Sequence, residues 1–502
     1  MTDKLELFSG VQISGSLELN IRRLNPWWEG KPLPLLPQTR RHIVKNMKKR
    51  LERKLAPIVV VRGPRQIGKT TAQLQFISDL LDSGTSPRNI FRMQFDELPE
   101  LVHFKEPILR IVDWYEKNIL QQSLNQAAHE RKNIFLFFDE VQNLANWAPQ
   151  LKFLVDSSTV NTLVTGSSAL RIELGRDSLA GRITTIETGV LSLTEIAQFW
   201  DIPLGLPIWE ENGLEPITSK EFWFALRAHG KKVAAERDLA FSKFSERGGY
   251  PLAHNRRDVS WAYIADQLNE TVIQRVIQHD LRVGDRGRKR DAPLLEELFR
   301  LACRYAGQSP SLQLLARETQ RTLNANVGSQ RVNNYLKFFE DTLLLRLINP
   351  LEIRLKKKKG SPKICLADHG LRASWLRESV PLDPVELRSQ DHSVDIAGHI
   401  AESVTGAVLS TISGLDLAHF PERDGEPEID FVLTAGAKRI PLEVKYRRRI
   451  DPYADTEGLR SFIEKVKNNA PFGVLVTQSD DVIGIEDPRI ITIPLSTLLL
   501  LR

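Results

Sequence analysis

The sequence predicts an α/β chain of several domains, and three observations carry that expectation. A β-branched run, Pro57-Ile-Val-Val-Val61, feeds directly into the glycine loop Gly63-Pro-Arg-Gln-Ile-Gly-Lys-Thr70 and then into a helical stretch from about Lys69. A second apolar run, Asn133-Ile-Phe-Leu-Phe-Phe, ends on the adjacent acids Asp139 and Glu140. Far downstream, Glu428 to Lys445 alternates apolar and charged residues around Gly436-Ala437, the period-two pattern of a hairpin. At 502 residues the chain exceeds one ordinary core, and a length prior suggests about three domains of roughly 150 residues.

Composition narrows the class. Only Cys303 and Cys365 are present, which excludes a disulfide framework and a four-cysteine zinc site and points to a reducing, cytoplasmic compartment. The N-terminus lacks a basic region followed by an apolar run, and Leu498 to Leu501 is too short to span a bilayer, so no membrane anchor is expected. A net charge of +6 with a pI near 9.1 permits contact with nucleic acid. The basic residues cluster at Arg40 to Lys54, Arg286 to Arg290 and Arg354 to Lys359. Each cluster alone reads equally well as a solvated face.

The glycine loop sits in the strand, loop, helix context that phosphate binding requires. Gly63 and Gly68 let backbone amides turn toward a β-phosphate, with Pro64, Arg65, Gln66, Ile67 and Thr71 completing the loop. Lys69 reaches the β and γ oxygens, and Thr70 supplies a hydroxyl to Mg²⁺. Asp139 would hold the same ion, and Glu140 would orient or deprotonate the attacking water. These residues make the chain an expected ATP-binding and ATP-hydrolysing protein. The next strand, Asn161 to Ser168, ends in small polar residues, of which Thr165 or Ser167 would stand beside the γ-phosphate. Among the arginines that follow, Arg171, Arg176 and Arg182 are each either a finger toward a neighbouring subunit's nucleotide or a structural ion pair.

Together these segments resemble a family of bacterial and archaeal AAA-type ATPases. Gly181-Arg182, then Leu191-Ser192-Leu193-Thr194-Glu195, is similar to that family's Gly-Arg and Leu-Ser-X-X-Glu pattern, and Gly248-Gly249-Tyr250-Pro251 to its glycine turn closing a helical lid. The resemblance implies a sensor on the strand ending at Thr165 and Ser167, and a homo-oligomer is plausible for this class. Residues 41–191 are then the AAA-type core and 192–285 the helical lid, after an N-terminal arm at 1–40. In the arm, Trp27-Trp28 packs either on the same subunit or on a neighbour.

Residues 286–375 read as a winged helix. Ala292 to Tyr305 is apolar at helical spacing, Ser311 caps the next helix, Ser329 after Gly328 caps a third, and Leu343 to Ile364 forms the hairpin. In such a module the third helix enters the major groove, so Ser329, Gln330, Arg331 and Asn334 approach DNA. Lys356, Lys357, Lys358 and Lys359 at the hairpin tip suit phosphate contacts. Winged helices also serve as protein interaction modules. Arg331-Val-Asn-Asn-Tyr335-Leu and Pro362-Lys363-X₄-Asp368-X-Gly370-Leu again resemble the ATPase family, which usually has an aromatic residue where Cys365 stands.

Residues 376–502 contain the second chemical constellation. With Gly436-Ala437 as a two-residue turn, Asp430 faces Glu443 and Glu428 faces Lys445. Strand alternation gathers Glu443 and Lys445 on one face, where two carboxylates, Asp430 and Glu443, can hold Mg²⁺ and the lysine can activate water. This resembles the PD-(D/E)XK nuclease fold, in which a helix acid completes the site; Glu402 within Ala397 to Leu409 is the candidate, and helix Thr456 to Asn468 with strand Phe472 to Thr477 continues the βαβ core. The alternative is the same fold used only for binding. The combination suggests an ATPase acting on DNA, in genome defence or mobile-element control, against a pure AAA-type switch whose C-terminal domains bind protein partners or DNA without cleaving it.

Overall fold

The computed structural model describes residues 13–96, 100–101, 104–144, 146–166, 179–209, 213–279, 291–352, 360–422, 425–481 and 485–502. Contacts divide the chain into two units, Met1–Thr188 and Gly189–Arg502.

In the first unit, strands β1 (Ile58–Arg62), β2 (Ile90–Gln94), β3 (Phe135–Asp139), β4 (Asn161–Gly166) and β5 (Ile183–Glu187) form a parallel sheet in the order β2-β3-β4-β1-β5. β1 and β3 read as near-continuous apolar runs because both of their faces are covered. Ile58, Val60, Phe91, Leu136 and Phe138 fill the core on one face, and Val59, Val61, Phe76, Phe137 and Leu163 that on the other. β4 inserts between β1 and β3, so the ends of the glycine-loop strand and the acidic strand flank Thr165.

The arm packs within this unit. Helix Gly15–Leu24 buries Leu17 and Ile21, and the next residues seal the open edge of β2. Asn25 Nδ2 donates to Arg92 O at 2.8 Å while Asn25 Oδ1 accepts from Arg92 N at 2.7 Å. The indoles of Trp27 and Trp28 both donate to Ile90 O, at 3.1 and 2.9 Å. An edge strand's free amides and carbonyls are thus occupied by side chains. The first basic cluster becomes helix His42–Arg53, which turns Ile43, Val44, Met47 and Leu51 inward and leaves Lys45, Lys48 and Arg53 in solvent. It is a solvated helix face, as charge runs commonly are.

The second unit opens with helices, including Leu193–Phe199, Lys220–Lys232 and Ala234–Arg247. The capping box on Ser192 and Glu195 starts the first of them. Next come helices Ala292–Arg304, Leu312–Leu323 and Ser329–Asp341, then the antiparallel pair β6 (Leu345–Ile348) and β7 (Lys363–Leu366). Ser311 caps its helix by accepting from Leu314 N. The third helix differs from expectation: Gly328 is the cap, without a side-chain bond, and Ser329 is already helical. The last sheet runs β12-β11-β10-β9-β8, from β8 (Asp416–Phe420), β9 (Ile429–Ala435), β10 (Lys438–Lys445), β11 (Gly473–Thr477) and β12 (Ile490–Pro494). β8, β9 and β10 are antiparallel, whereas β10, β11 and β12 are parallel. The expected helix Thr456 to Asn468 is broken: Glu457–Glu464 is α-helical, Lys465 turns extended, and Val466–Asn468 is a 3₁₀ turn.

The helices expected as a lid share one core with this sheet. Leu193, Trp223 and Phe241 lie in the same apolar cluster as Phe431, Leu442, Val474 and Leu498. Arg237 adds polar links, donating to Thr497 Oγ1 at 2.7 Å and Asp480 Oδ2 at 2.9 Å.

The two glycine-bearing signatures meet at Asp368. Its buried carboxylate accepts from the backbone amides of Gly249 and Gly370. A Cβ on Gly249 would lie 3.0 Å from Asp368 Oδ2, and Gly248 has φ +69°, a conformation side chains rarely adopt. Nearby, His254 Nε2 donates to Gly248 O at 2.8 Å, and its Nδ1 accepts from the Trp200 indole at 2.9 Å. Burial, more than any charge, drops His254 to about 4. A depressed histidine contributes stability that is complete above the unfolded value near 6.5 and disappears as pH falls through about 4. Unfolding midpoints measured from pH 7 to 4 should therefore fall, with roughly 3 kcal/mol traceable to this residue. His254→Asn should remove that part of the slope.

Candidate functional site

The phosphate loop is built by backbone geometry. Gln66 (φ +61°) and Gly68 (φ +87°) both take the left-handed conformation, which turns successive amides into a concavity at the start of helix Lys69–Asp82. Lys69 Nζ, buried, donates to the carbonyls of Gly63 at 2.9 Å and Pro64 at 2.7 Å, which holds its ammonium over the loop. Gly63 itself has no room for a side chain: a Cβ there would meet Thr188 O at 2.5 Å.

The acidic strand meets the loop as the spacing suggested. Thr70 Oγ1 donates to Asp139 Oδ2 at 2.7 Å, and Thr165 Oγ1 donates to Asp139 Oδ1 at 2.5 Å. Glu140 follows in a left-handed turn (φ +54°), its carboxylate accepting from Gln142. Burial pushes Glu140 above the usual carboxylate range, against the pull of the Lys69 ammonium. The residues fit Mg²⁺ with ATP: Thr70 and Asp139 would hold the ion, whose charge offsets that of the phosphates. The loop amides and Lys69 would hold the phosphates, and Glu140 would orient water.

Two basic side chains here escaped the sequence reading. Arg92, buried in β2, donates from Nε to Gln73 Oε1 at 2.9 Å and lies 3.4 Å from Asp139 Oδ2. Arg41 donates to Ile67 O at 2.7 Å and braces the loop from outside. The signal for Arg92 was a single charge inside the apolar run Ile90-Phe-Arg-Met. Arg182 precedes β5, beside the start of β1, and pairs at the surface with Asp156 at 2.5 and 3.0 Å. Within its own chain it makes the ion pair that was one of its two expected roles. Arg171, Arg176 and Ser167 lie outside the described residues.

The C-terminal hairpin has the expected register, with Leu442 opposite Phe431 and Gly436 in a left-handed turn. It brings Asp430, Glu443 and Lys445 to the wall of a cavity of ≈ 570 Å³, where Glu402 joins them from helix Val394–Leu409. The partners differ from those expected. Lys363, on β7, places its buried ammonium 2.6 Å from Asp430 Oδ1, 3.0 Å from Glu402 Oε2 and 3.6 Å from Glu428 Oε1. Asp430 Oδ2 accepts from Val444 N at 2.9 Å. Glu443 accepts from Lys445 Nζ at 2.6 Å and from Asp430 N at 3.3 Å.

The electrostatics follow from this. Burial would raise Asp430, but the Lys363 ammonium outweighs it and holds the carboxyl below its ordinary value. Burial, then the Asp430 charge, pushes Glu443 up to about 8 despite Lys445. Burial and Asp430 also raise Glu402. The arrangement does not suit Mg²⁺ on Asp430 and Glu443, because the Lys363 ammonium stands 2.6 Å from Asp430 Oδ1 and the Lys445 ammonium 2.6 Å from Glu443 Oε1. Here the structure departs from the metal expectation, and Lys363 is the main cause. A lysine in the buried run Lys363-Ile-Cys-Leu was the signal.

On the third helix of the middle segment, Gln330, Arg331 and Asn334 are exposed and Ser329 is half-buried. Arg331 pairs at the surface with Asp291 at 3.3 Å, a contact of little energy. Arg286 to Arg290 and Lys356 to Lys359 lie outside the described residues.

With this geometry in place, the sheet and loop define the first part as a P-loop ATPase core, and the AAA domain family matches residues 55–197. Two further families match, each described as a domain of unknown function: DUF8612 over residues 239–381 and DUF4143 over 397–498. An uncharacterized protein of Haemophilus influenzae is 21% identical over 356 residues, 68% of this chain and 76% of that protein. Uncharacterized proteins of Mycobacterium bovis and Mycobacterium tuberculosis are 24% identical over 336 residues, 66% of this chain but 58% of each of theirs. Among solved structures, a Walker-type ATPase of Pyrococcus abyssi is similar at 12% identity and TM-score 0.39, over 68% of this chain and 99% of that one. Cdc6p from Pyrobaculum aerophilum is similar at 13% identity and TM-score 0.25, over 70% and 97%. No described helix is long and apolar enough to cross a membrane.

Glu140→Gln should retain ATP binding while lowering turnover by about 10²-fold or more, whereas Lys69→Ala should weaken binding itself. Nucleotide titration alongside a phosphate-release assay separates the two outcomes.

Proposed function

We propose that the chain is an ATP-hydrolysing switch of the AAA type that works on DNA. Nucleotide state in the first unit governs two modules of the second: a winged helix at 286–375 and a PD-(D/E)XK-like domain at 376–502. The observation that carries the ATPase half is the Thr70 hydroxyl meeting the Asp139 carboxylate at 2.7 Å beside Glu140. It supplies two ligands for Mg²⁺ and a base at one end of a parallel sheet.

The DNA half is supported by chemistry and placement. Gln330, Arg331 and Asn334 project from the first turns of a helix that is followed by a two-stranded hairpin. That is where a winged helix presents its base-reading groups. The four lysines Lys356 to Lys359 provide phosphate contacts. Glu402, Asp430, Glu443 and Lys445 belong to the third part of this reading, a domain that engages DNA while ATP turns over in the first.

Two measurements test it. ATP hydrolysis should rise when duplex DNA is added, and a rate indifferent to every DNA form would remove DNA from the reading. Reversing the charge of Lys356 to Lys359 should weaken DNA binding and reduce the slope of log K against log salt by about 3. An unchanged slope would return the hairpin to protein interaction.

A further inference from the structure

The acidic cavity of the C-terminal domain contains more carboxylate than its own elements neutralise. Glu402 comes from helix Val394–Leu409, Asp430 from β9, Glu443 from β10, and Glu428 from the approach to β9. Lys445 answers Glu443 at 2.6 Å. The charge that answers the others is delivered from elsewhere in the chain. Lys363 begins β7, whose partner is β6, and its side chain is 2% exposed. Its ammonium is shared by Asp430, Glu402 and Glu428 at 2.6, 3.0 and 3.6 Å.

A lysine with three carboxylates inside 4 Å occupies the position of a counter-ion. A divalent ion bound to the same oxygens, at about 2.1 Å from each, competes for the space and charge that the ammonium supplies. Lys363 is also tethered by its own strand. Ile364 N donates to Gln308 O at 2.9 Å, and Gly307 N donates to Ile364 O at 2.7 Å. The hairpin is joined to the C-terminal sheet next door: Leu351 N donates to His419 O at 2.7 Å and His419 N to Asn349 O at 3.0 Å. These contacts fix the backbone from which the Lys363 side chain enters the cavity, and the three carboxylates hold its ammonium there.

We infer that Lys363 is the resident cation of this cavity and closes it to Mg²⁺ and Mn²⁺. The domain then holds DNA without hydrolysing it, and replacing the lysine uncovers a divalent-metal site on Glu402 and Asp430. This rests on the DNA reading above for the word DNA, and on the side-chain geometry alone for the cation.

The test is a Mn²⁺ titration of the nucleotide-free full chain, followed by calorimetry and by the electron paramagnetic resonance signal of free ion. Native chain and Asp430→Asn should give the same isotherm. Lys363→Met should gain one site, about tenfold or more tighter than any in the native chain because a like charge has been removed, and Lys363→Met combined with Asp430→Asn should lose it. A native site that Asp430→Asn abolishes overturns the inference, as does a folded Lys363→Met chain with no Asp430-dependent site. If Lys363→Met does not fold, the native and Asp430→Asn isotherms still decide. DNA retention in a chelator is measured in parallel, so that failure to bind DNA counts against the functional reading and leaves the cation result standing.

Discussion

A carboxylate taken out of water must be met by donors, and this chain arranges its chemistry around that constraint. Asp139, Asp368 and Asp430 are all buried, and each is satisfied by a different kind of group. Asp139 is held by two hydroxyls and a guanidinium, Asp368 by backbone amides, and Asp430 by an ammonium and an amide. Hydroxyls are neutral and can turn toward an incoming ion without leaving a charge behind. Backbone amides cannot leave without unfolding a turn. The Lys363 ammonium, at 2.6 Å against 3.4 Å for the Arg92 guanidinium on Asp139, neutralises its partner more directly. The same residue type is thereby suited to metal binding in one place, to architecture in another and to closure in the third.

The first of these was the most legible. A loop with glycine at fixed offsets and a strand ending in acids are local patterns, and sequence carries local patterns well. Strand adjacency, which follows from parallel topology, narrowed the next position to Thr165 or Ser167, and the structure shows Thr165 on Asp139. Arg92 was not legible, because its meaning depends on Gln73 and Asp139, which approach it only once the sheet is assembled. Arg182 shows what distance along the chain leaves out: β5 runs parallel to β1, so the residue before it lies at the opposite end of the sheet from its own loop, where it meets Asp156.

The C-terminal cluster was half legible for a related reason. Hairpin register is fixed by a two-residue turn, so the facing of Asp430 and Glu443 could be counted along the chain. The partner of Asp430 lies 67 residues earlier, on a strand of a different sheet. No periodicity connects them. Pro362-Lys363 was visible as a pattern, yet its charge acquired a purpose only through the cavity into which it reaches. In the same way Gly249 and Asp368 were read as separate signatures, and space makes them one clasp.

The seal on β2 bears on how the chain is made. Asn25 waits for Arg92, 67 residues further on, so a ribosome delivers the cover before the edge that needs it. Had the covering segment been placed at the far end, a nascent sheet would have displayed an unpaired strand to its neighbours on the polysome throughout synthesis. Chain order here puts Asn25, Trp27 and Trp28 ahead of the strand edge they cover, so the cover is on hand when that edge forms.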